Sequence, residues 1–133
     1  FVHDIFKDFS DCNIDVNIIT TSQFEVSCTS SENDDKKLLD IYNRLSKRYQ
    51  VKVIQNSNMI SVVGNEITLN NDFMEKFFLV LKKYKIHITH FSSNNLSISI
   101  IVENDISLEL NNDIHDIIVF NYDKWWKIYT NYL

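Results

Sequence analysis

A chain of 133 residues with 44% hydrophobic and 13% aromatic content can bury one ordinary core or two small ones and is too apolar to stay disordered. Its formal net charge of −5 speaks against a nucleic-acid partner, because phosphate binding needs clustered Lys and Arg. The dense basic stretches, Arg44/Lys47/Arg48 and Lys82/Lys83/Lys85, fall in helix-like patterns where solvated charge is usual. Proline is absent and Gly64 is the one glycine, so no glycine-rich phosphate loop can be written.

Residues 1 to about 11 read as an amphipathic helix, with Val2, Ile5, Phe6 and Phe9 on one side and Asp4, Lys7, Asp8 and Asp11 on the other. The stretch 16–29, VNIITTSQFEVSCT, reads as two half-buried strands joined by a polar turn at Thr20, Thr21 and Ser22, with Phe24, Val26 and Cys28 alternating in the second strand. Such hydroxyls serve equally as turn formers or as groups aimed at a small ligand. SSENDD then supplies caps for a helix carrying Leu38, Leu39, Ile41, Tyr42 and Leu45. Val51, Val53 and Ile54 predict a strand, and 59–63 another that ends at Gly64, where the expected reason for glycine is a positive φ.

From Asn71 the spacing of Phe73, Phe77, Phe78, Leu81 and Tyr84 predicts a helix. Strands are expected around Ile86/Ile88 and over 96–102, separated by a Ser-Ser-Asn-Asn turn. Glu103, Asn104 and Asp105 read as the cap of a short helix, 119–122 as a final strand, and the tail containing Trp125 and Trp126 as a docked amphipathic helix. Cys12 and Cys28 are too few for a disulfide framework or metal cluster and predict a reducing, cytoplasmic setting. His87 and His90 read as surface imidazoles, and no apolar run reaches membrane-spanning length.

The turns at Thr21/Ser22 and Ser92/Ser93 lie about 71 positions apart, and CNIDVNIITTSQFEVSCTSSEND can be laid on YKIHITHFSSNNLSISIIVEND. The expected architecture is α+β: two ferredoxin-like βαββαβ units, each an antiparallel sheet with helices on one face. The expected boundaries are 1–56, 57–122 and a tail 123–133, with the opening strand of the first unit lacking and the chain reading as a fragment of something longer. An exposed sheet edge in that first unit predicts pairing between copies.

FVHDIFKDFSDCNIDVNIITTSQFEVSCT, then ISVVGN at 60–65, then FSSNNLSISIIVEND with IHDIIVF resemble the tandem ACT regulatory region of aspartate kinases over about the first 120 residues. The resemblance implies a non-catalytic effector-sensing segment for feedback control of aspartate-family amino-acid synthesis. ATP and Mg²⁺ would belong to a kinase domain N-terminal to it, leaving no cofactor within this chain. It implies an amino-acid effector, most simply lysine, held between first ACT units of a homodimer. By position, Phe1 and Val2 would offer a helix N-terminus to the effector carboxylate, Val16 main-chain groups, and Thr21 and Ser22 hydroxyls, with Gln23 and Phe24 facing the partner chain. Asn17 stands where lysine-sensitive members carry Asp, which opens threonine as an alternative effector, and Phe91 stands where a Gly precedes the Ser pair. The other readings are a free-standing tandem ACT sensor or dimerisation scaffold acting on another protein, and a ferredoxin-like RNA binder, which the acidic balance disfavours.

Overall fold

A computed structural model describes residues 1–121 and 126–132, which divide into two compact units, 1–54 and 55–132. In the first unit, α1 (Val2–Asp11) leads through a left-handed Asn13 (φ 53°) into the hairpin β1 (Ile18–Thr21) and β2 (Val26–Thr29), followed by α2 (Asp35–Ser46). The two strands form a sheet of their own. Asp34 caps α2 by accepting from the Lys36 N–H, as the polar run before it predicts. The helices run antiparallel, a direction set out by paired residues: Cys12 Sγ donates to Asp40 at 3.3 Å, Arg44 meets Asp11 at 3.6 Å, Arg48 meets Asp8, and Phe1 stands edge-on to Tyr49 with ring centroids 5.2 Å apart. Arg44 and Arg48 are therefore engaged with carboxylates of α1 and α2, consistent with the acidic balance.

The second unit is a complete βαββαβ sandwich: β3 (Ser57–Val63), a 3₁₀ turn, α3 (Asn71–Leu81), β4 (Ile86–Phe91), β5 (Ser97–Glu103), α4 (Asn104–Asn121) and β6 (Lys127–Tyr132). The sheet order β4-β5-β3-β6 is antiparallel throughout. Alternation along β3 and β5 turns Ile60, Val62, Ile98, Ile100 and Val102 toward Phe73 and Phe77 of α3 and Leu110 and Ile114 of α4, all essentially buried.

Four expectations change. The 51–54 segment forms no strand, and Val53 and Ile54 are exposed. In the second unit the strand at that place, β6, pairs with β3, and the first unit has no counterpart of β3 among the described residues, so 51–54 has no ladder to join. The helix after Glu103 is long, not short, and runs through 119–121; Tyr122 and Trp125 lie outside the described residues. The tail is a strand: β6 covers six positions of β3, and Asn111 Nδ2 of α4 donates to Thr130 at 2.9 Å. Gly64 does not take a positive φ. The left-handed positions fall on Asn13, Asn56, Glu66 and Asn95, so a glycine-poor chain uses mainly asparagine for them.

Tyr84 joins the two helices of the second unit, its hydroxyl donating to Asp113 at 2.5 Å. Burial and the adjacent Asp113 push the phenol above its ordinary value. The folded state thus holds that proton more tightly, so the bond's contribution is complete below about pH 10 and is lost as pH rises toward the folded value. Tyr84→Phe is expected to cost about 1 kcal/mol in urea unfolding at neutral pH and to flatten the loss of stability seen in the wild type toward about pH 11.

Candidate functional site

The helix N-terminus comes first. Phe1 is the N-cap of α1 and provides no side-chain hydrogen bond to the first turn, so these backbone N–H groups are not capped from within the chain's own cap residue. Val2 is half-buried and Phe1 is exposed. An anion suits this end, although Asp4 in the first turn already answers part of the helix dipole.

The hairpin follows α1. Lys37, in the first turn of α2, donates to the Asn13 carbonyl at 3.2 Å, and β2 leads into α2 from Thr29, which places the hairpin base beside the end of α1. Thr20 and Thr21 belong to β1, so the turn begins at Ser22, two places later than its predicted start at Thr20. Ser22 is the turn former: its N–H donates to the Glu25 carbonyl at 2.8 Å, and its hydroxyl accepts from the Phe24 and Glu25 N–H groups at 3.4 and 3.1 Å. Its hydroxyl is thus occupied by the turn, while Thr21 and Gln23 are exposed. Phe24 sits in the turn, not in the second strand, and is 86% exposed.

Val16 and Asn17 are at the opposite end of the hairpin. The Asn17 N–H donates to the Thr29 carbonyl at 2.8 Å and its side-chain amide to Ser31 at 2.7 Å. From Val16 to Thr21 is roughly 16 Å of extended chain. Within one protomer, Val16 and Asn17 therefore stand at one end of β1 and Thr21 and Ser22 at the other.

Val16 also borders a groove of about 320 Å³ between the second half of α1 and the 13–16 loop. Phe6, Phe9 and Ile14 give it apolar walls, and Ser10, Asn13 and Asp15 give it polar ones. Sequence reading placed Phe6 and Phe9 only on the helix's apolar side, since a 3.6-residue period shows which face is apolar but not whether it is filled. In the same unit, burial pushes the Cys12 thiol up, helped by its bond to Asp40, and the Arg44 guanidinium holds the Asp40 carboxyl below its usual range.

In the second unit, the corresponding strand β4 departs from expectation at His87. Its side chain is 10% exposed, and its Nε2 has no hydrogen-bond partner and lies 3.6 Å from Glu103. The imidazole is not a surface group, and His87 sits at a register irregularity between Ile86 and Ile88. Asn104 begins α4 as predicted, with its N–H donating to the Asn56 carbonyl at 2.8 Å and its side-chain oxygen accepting from Asn58. Among the described residues no group of three or more His, Cys, Asp or Glu side chains could hold a metal ion, and no helix is long and apolar enough to cross a membrane.

No protein-family model matches the chain. A bifunctional aspartokinase/homoserine dehydrogenase of Buchnera aphidicola is 28% identical over 131 aligned residues, covering 88% of this chain and 16% of that protein. The chain thus spans about a sixth of that relative's length. In fold it is similar to a C-terminal regulatory domain of aspartate kinase from Porphyromonas gingivalis, with a TM-score of 0.72 at 23% identity over 86% of this chain and 77% of that one. It is similar also to E. coli aspartokinase III. The complex of that enzyme with aspartate and ADP, in the R-state, matches at a TM-score of 0.75 and 20% identity over 89% of this chain and 28% of that one. The complex with lysine and aspartate, in the T-state, matches at 0.71 and 20% identity. At these identities the structural likeness is one of fold. Sequence relative and fold neighbours alike are aspartate kinases or their regulatory domains.

Proposed function

We propose that this chain is a non-catalytic regulatory segment of an aspartate kinase, and that its first unit binds an amino-acid effector, with lysine the leading candidate, where two copies meet. The observation that carries the reading is the tandem fold, shared over most of the chain with regulatory regions of aspartate kinases. The split between the two ends of β1 supports a two-copy site. A free amino acid is far shorter than the hairpin, so a two-fold pairing that sets the base of one hairpin against the α1 N-terminus of its partner would gather Phe1 and Val2 with Val16 and Asn17. The uncapped turn of α1 would take the carboxylate, and Asn17 would face the far end of the effector's side chain. The exposed Phe24 and Gln23 at the tip would pack toward the partner. Inhibition then follows if the effector makes contacts in one kinase state that the other lacks. ATP, Mg²⁺ and the phosphoryl transfer to aspartate belong, on this reading, to a kinase domain attached to this segment in a cytoplasmic enzyme.

Asn17 sets the effector's affinity. Its neutral amide forgoes the charge-assisted bond that an aspartate would give an ammonium, and Asp at this place keeps a partner, because the Ser31 hydroxyl can donate to it in turn. Calorimetric titration with lysine, threonine and methionine tests both points. Asn17→Asp is expected to tighten lysine binding by about tenfold, an exposed site giving the low end of the range for such bonds, while threonine binding stays within about twofold. Equal effects on all three amino acids would sink the assignment of Asn17, and no binding of any of them would favour a dimerisation scaffold.

A further inference from the structure

The two basic stretches of the sequence fare differently in the fold. Arg44 and Arg48 of the first meet carboxylates of α1 and α2. Lys82, Lys83 and Lys85 of the second are exposed past the end of α3, and none of their ammonium groups meets a carboxylate or another acceptor among the described residues. A lysine at a helix C-terminus complements the dipole of the last turn, which accounts for Lys82 but not for Lys85 beyond it. The neighbouring helix α4 is the opposite case, with Asp105, Glu109, Asp113 and Asp116 and no Lys or Arg over 104–121. Asp113 is taken by Tyr84, while Asp105, Glu109 and Asp116 are exposed. Phe73, Phe77 and Leu81 of α3 and Leu110, Ile114 and Ile117 of α4 fill the core, so the exposed residues lie on the side of the helix layer turned away from the sheet. Leu79 of α3 and Val119 of α4 stand there uncovered, each more than half exposed.

We propose that the outer face of α3 and α4 is an interface with a second copy of this chain, in which the lysine end of each α3 lies on the acidic face of the other copy's α4. The register follows from the fold. β3 and β5 are antiparallel neighbours, so the helices that follow them run in opposite directions, and the Tyr84 bond to Asp113 sets the end of α3 level with the middle of α4. A two-fold axis parallel to the helices keeps these levels while exchanging α3 and α4. It stacks α3 of one copy on α4 of the other twice over, with Lys82 and Lys83 facing Glu109 and Asp116, and Leu79 facing Val119. Charge complementarity thus favours a second copy. An anionic lipid surface is a poorer occupant, because the same layer would set Asp105, Glu109 and Asp116 against its headgroups. This inference concerns the second unit and stands apart from the effector site of the first.

Sedimentation of the whole chain tests this with two charge reversals: Lys82→Glu with Lys83→Glu, and Glu109→Lys with Asp116→Lys. Each variant alone sets like charges together at both contacts and is expected to weaken association by at least roughly tenfold. An equimolar mixture of the two variants brings opposite charges together at both contacts again and should recover the parent's association. A substitution that merely damaged the fold would not be rescued by a second damaged chain, and any pairing through the first unit is common to all samples. The proposal is overturned if parent and variants sediment alike, which would leave the lysines as solvated charge. It is overturned equally if the mixture associates as weakly as either variant alone, which would give the lysines a partner other than a second copy.

Discussion

A chain ending at Asn121 is expected to lose the cooperative unfolding of its second unit. Three contributions go together. β3 loses the partner it pairs with over six positions, which leaves it one neighbour, β5, and an unpaired edge in what had been the middle of the sheet. Trp126 and Ile128 leave the core they pack against, and truncating two such side chains costs about 5 kcal/mol. Asn111 of α4 loses its bond to Thr130, which ties helix to strand. Domains of this size are stable by about 5–15 kcal/mol, so the loss approaches the whole. Thermal unfolding should shift down by at least roughly 20 °C or lose its sharp transition, with a rise in binding of a hydrophobic reporter dye. A truncated chain that unfolds as sharply as the parent would show that β6 adds nothing to the sheet.

That result bears on what the sequence alone makes visible. The helices α2 and α3 are legible because period and caps agree: Asp34 before α2 and Asn70 before α3 each accept an N–H from the first turn, and Phe73, Phe77 and Leu81 are buried at the spacing that predicts them. The tandem organisation is legible from the repeat of Thr-Ser and Ser-Ser turns. The tail is not, because Trp, Ile and Tyr at alternate and helical spacings coincide over so short a run, and only a strand neighbour, β3, decides between them. The same holds in reverse for 51–54, where a good strand sequence stays irregular for want of a neighbour. Propensity for strand is a statement about fitting a ladder, and the ladder is a property of distant chain.

The candidate site was legible in its parts and not in its arrangement. That Ser22 is consumed by its own turn, that Phe24 leaves the strand, and that Val16 and Asn17 stand a hairpin's length from Thr21 all follow from where the turn begins. A shift of one or two residues in a turn is below what alternation can resolve, yet it decides which hydroxyl is available. His87 shows the same limit: it sits at a register irregularity that alternation does not reveal, and its side chain is largely buried.

Gly64→Ala is expected to destabilise the second unit by about 2–3 kcal/mol, for a reason unrelated to backbone freedom. A methyl group built at Gly64 would run into Cδ1, Nε1 and Cγ of the Trp126 indole. The backbone has little room to yield, since the Gly64 N–H donates to the Leu96 carbonyl at 2.8 Å and its carbonyl accepts from the Ile67 N–H at 3.3 Å. The indole must move instead, and it stands edge-on to Phe73 with ring centroids 5.0 Å apart, in the packed centre of the unit. Because φ at Gly64 is not positive, alanine carries no conformational penalty there, and without the indole it would be neutral or stabilising by up to about 1 kcal/mol through the unfolded chain. A double-mutant cycle separates the two accounts. In a Trp126→Ala background the cost of Gly64→Ala should vanish, giving a coupling of about 2–3 kcal/mol by denaturant unfolding. An undiminished cost in that background would mean that glycine is required by the backbone after all, and that the notch holding Trp126 against β3 is incidental.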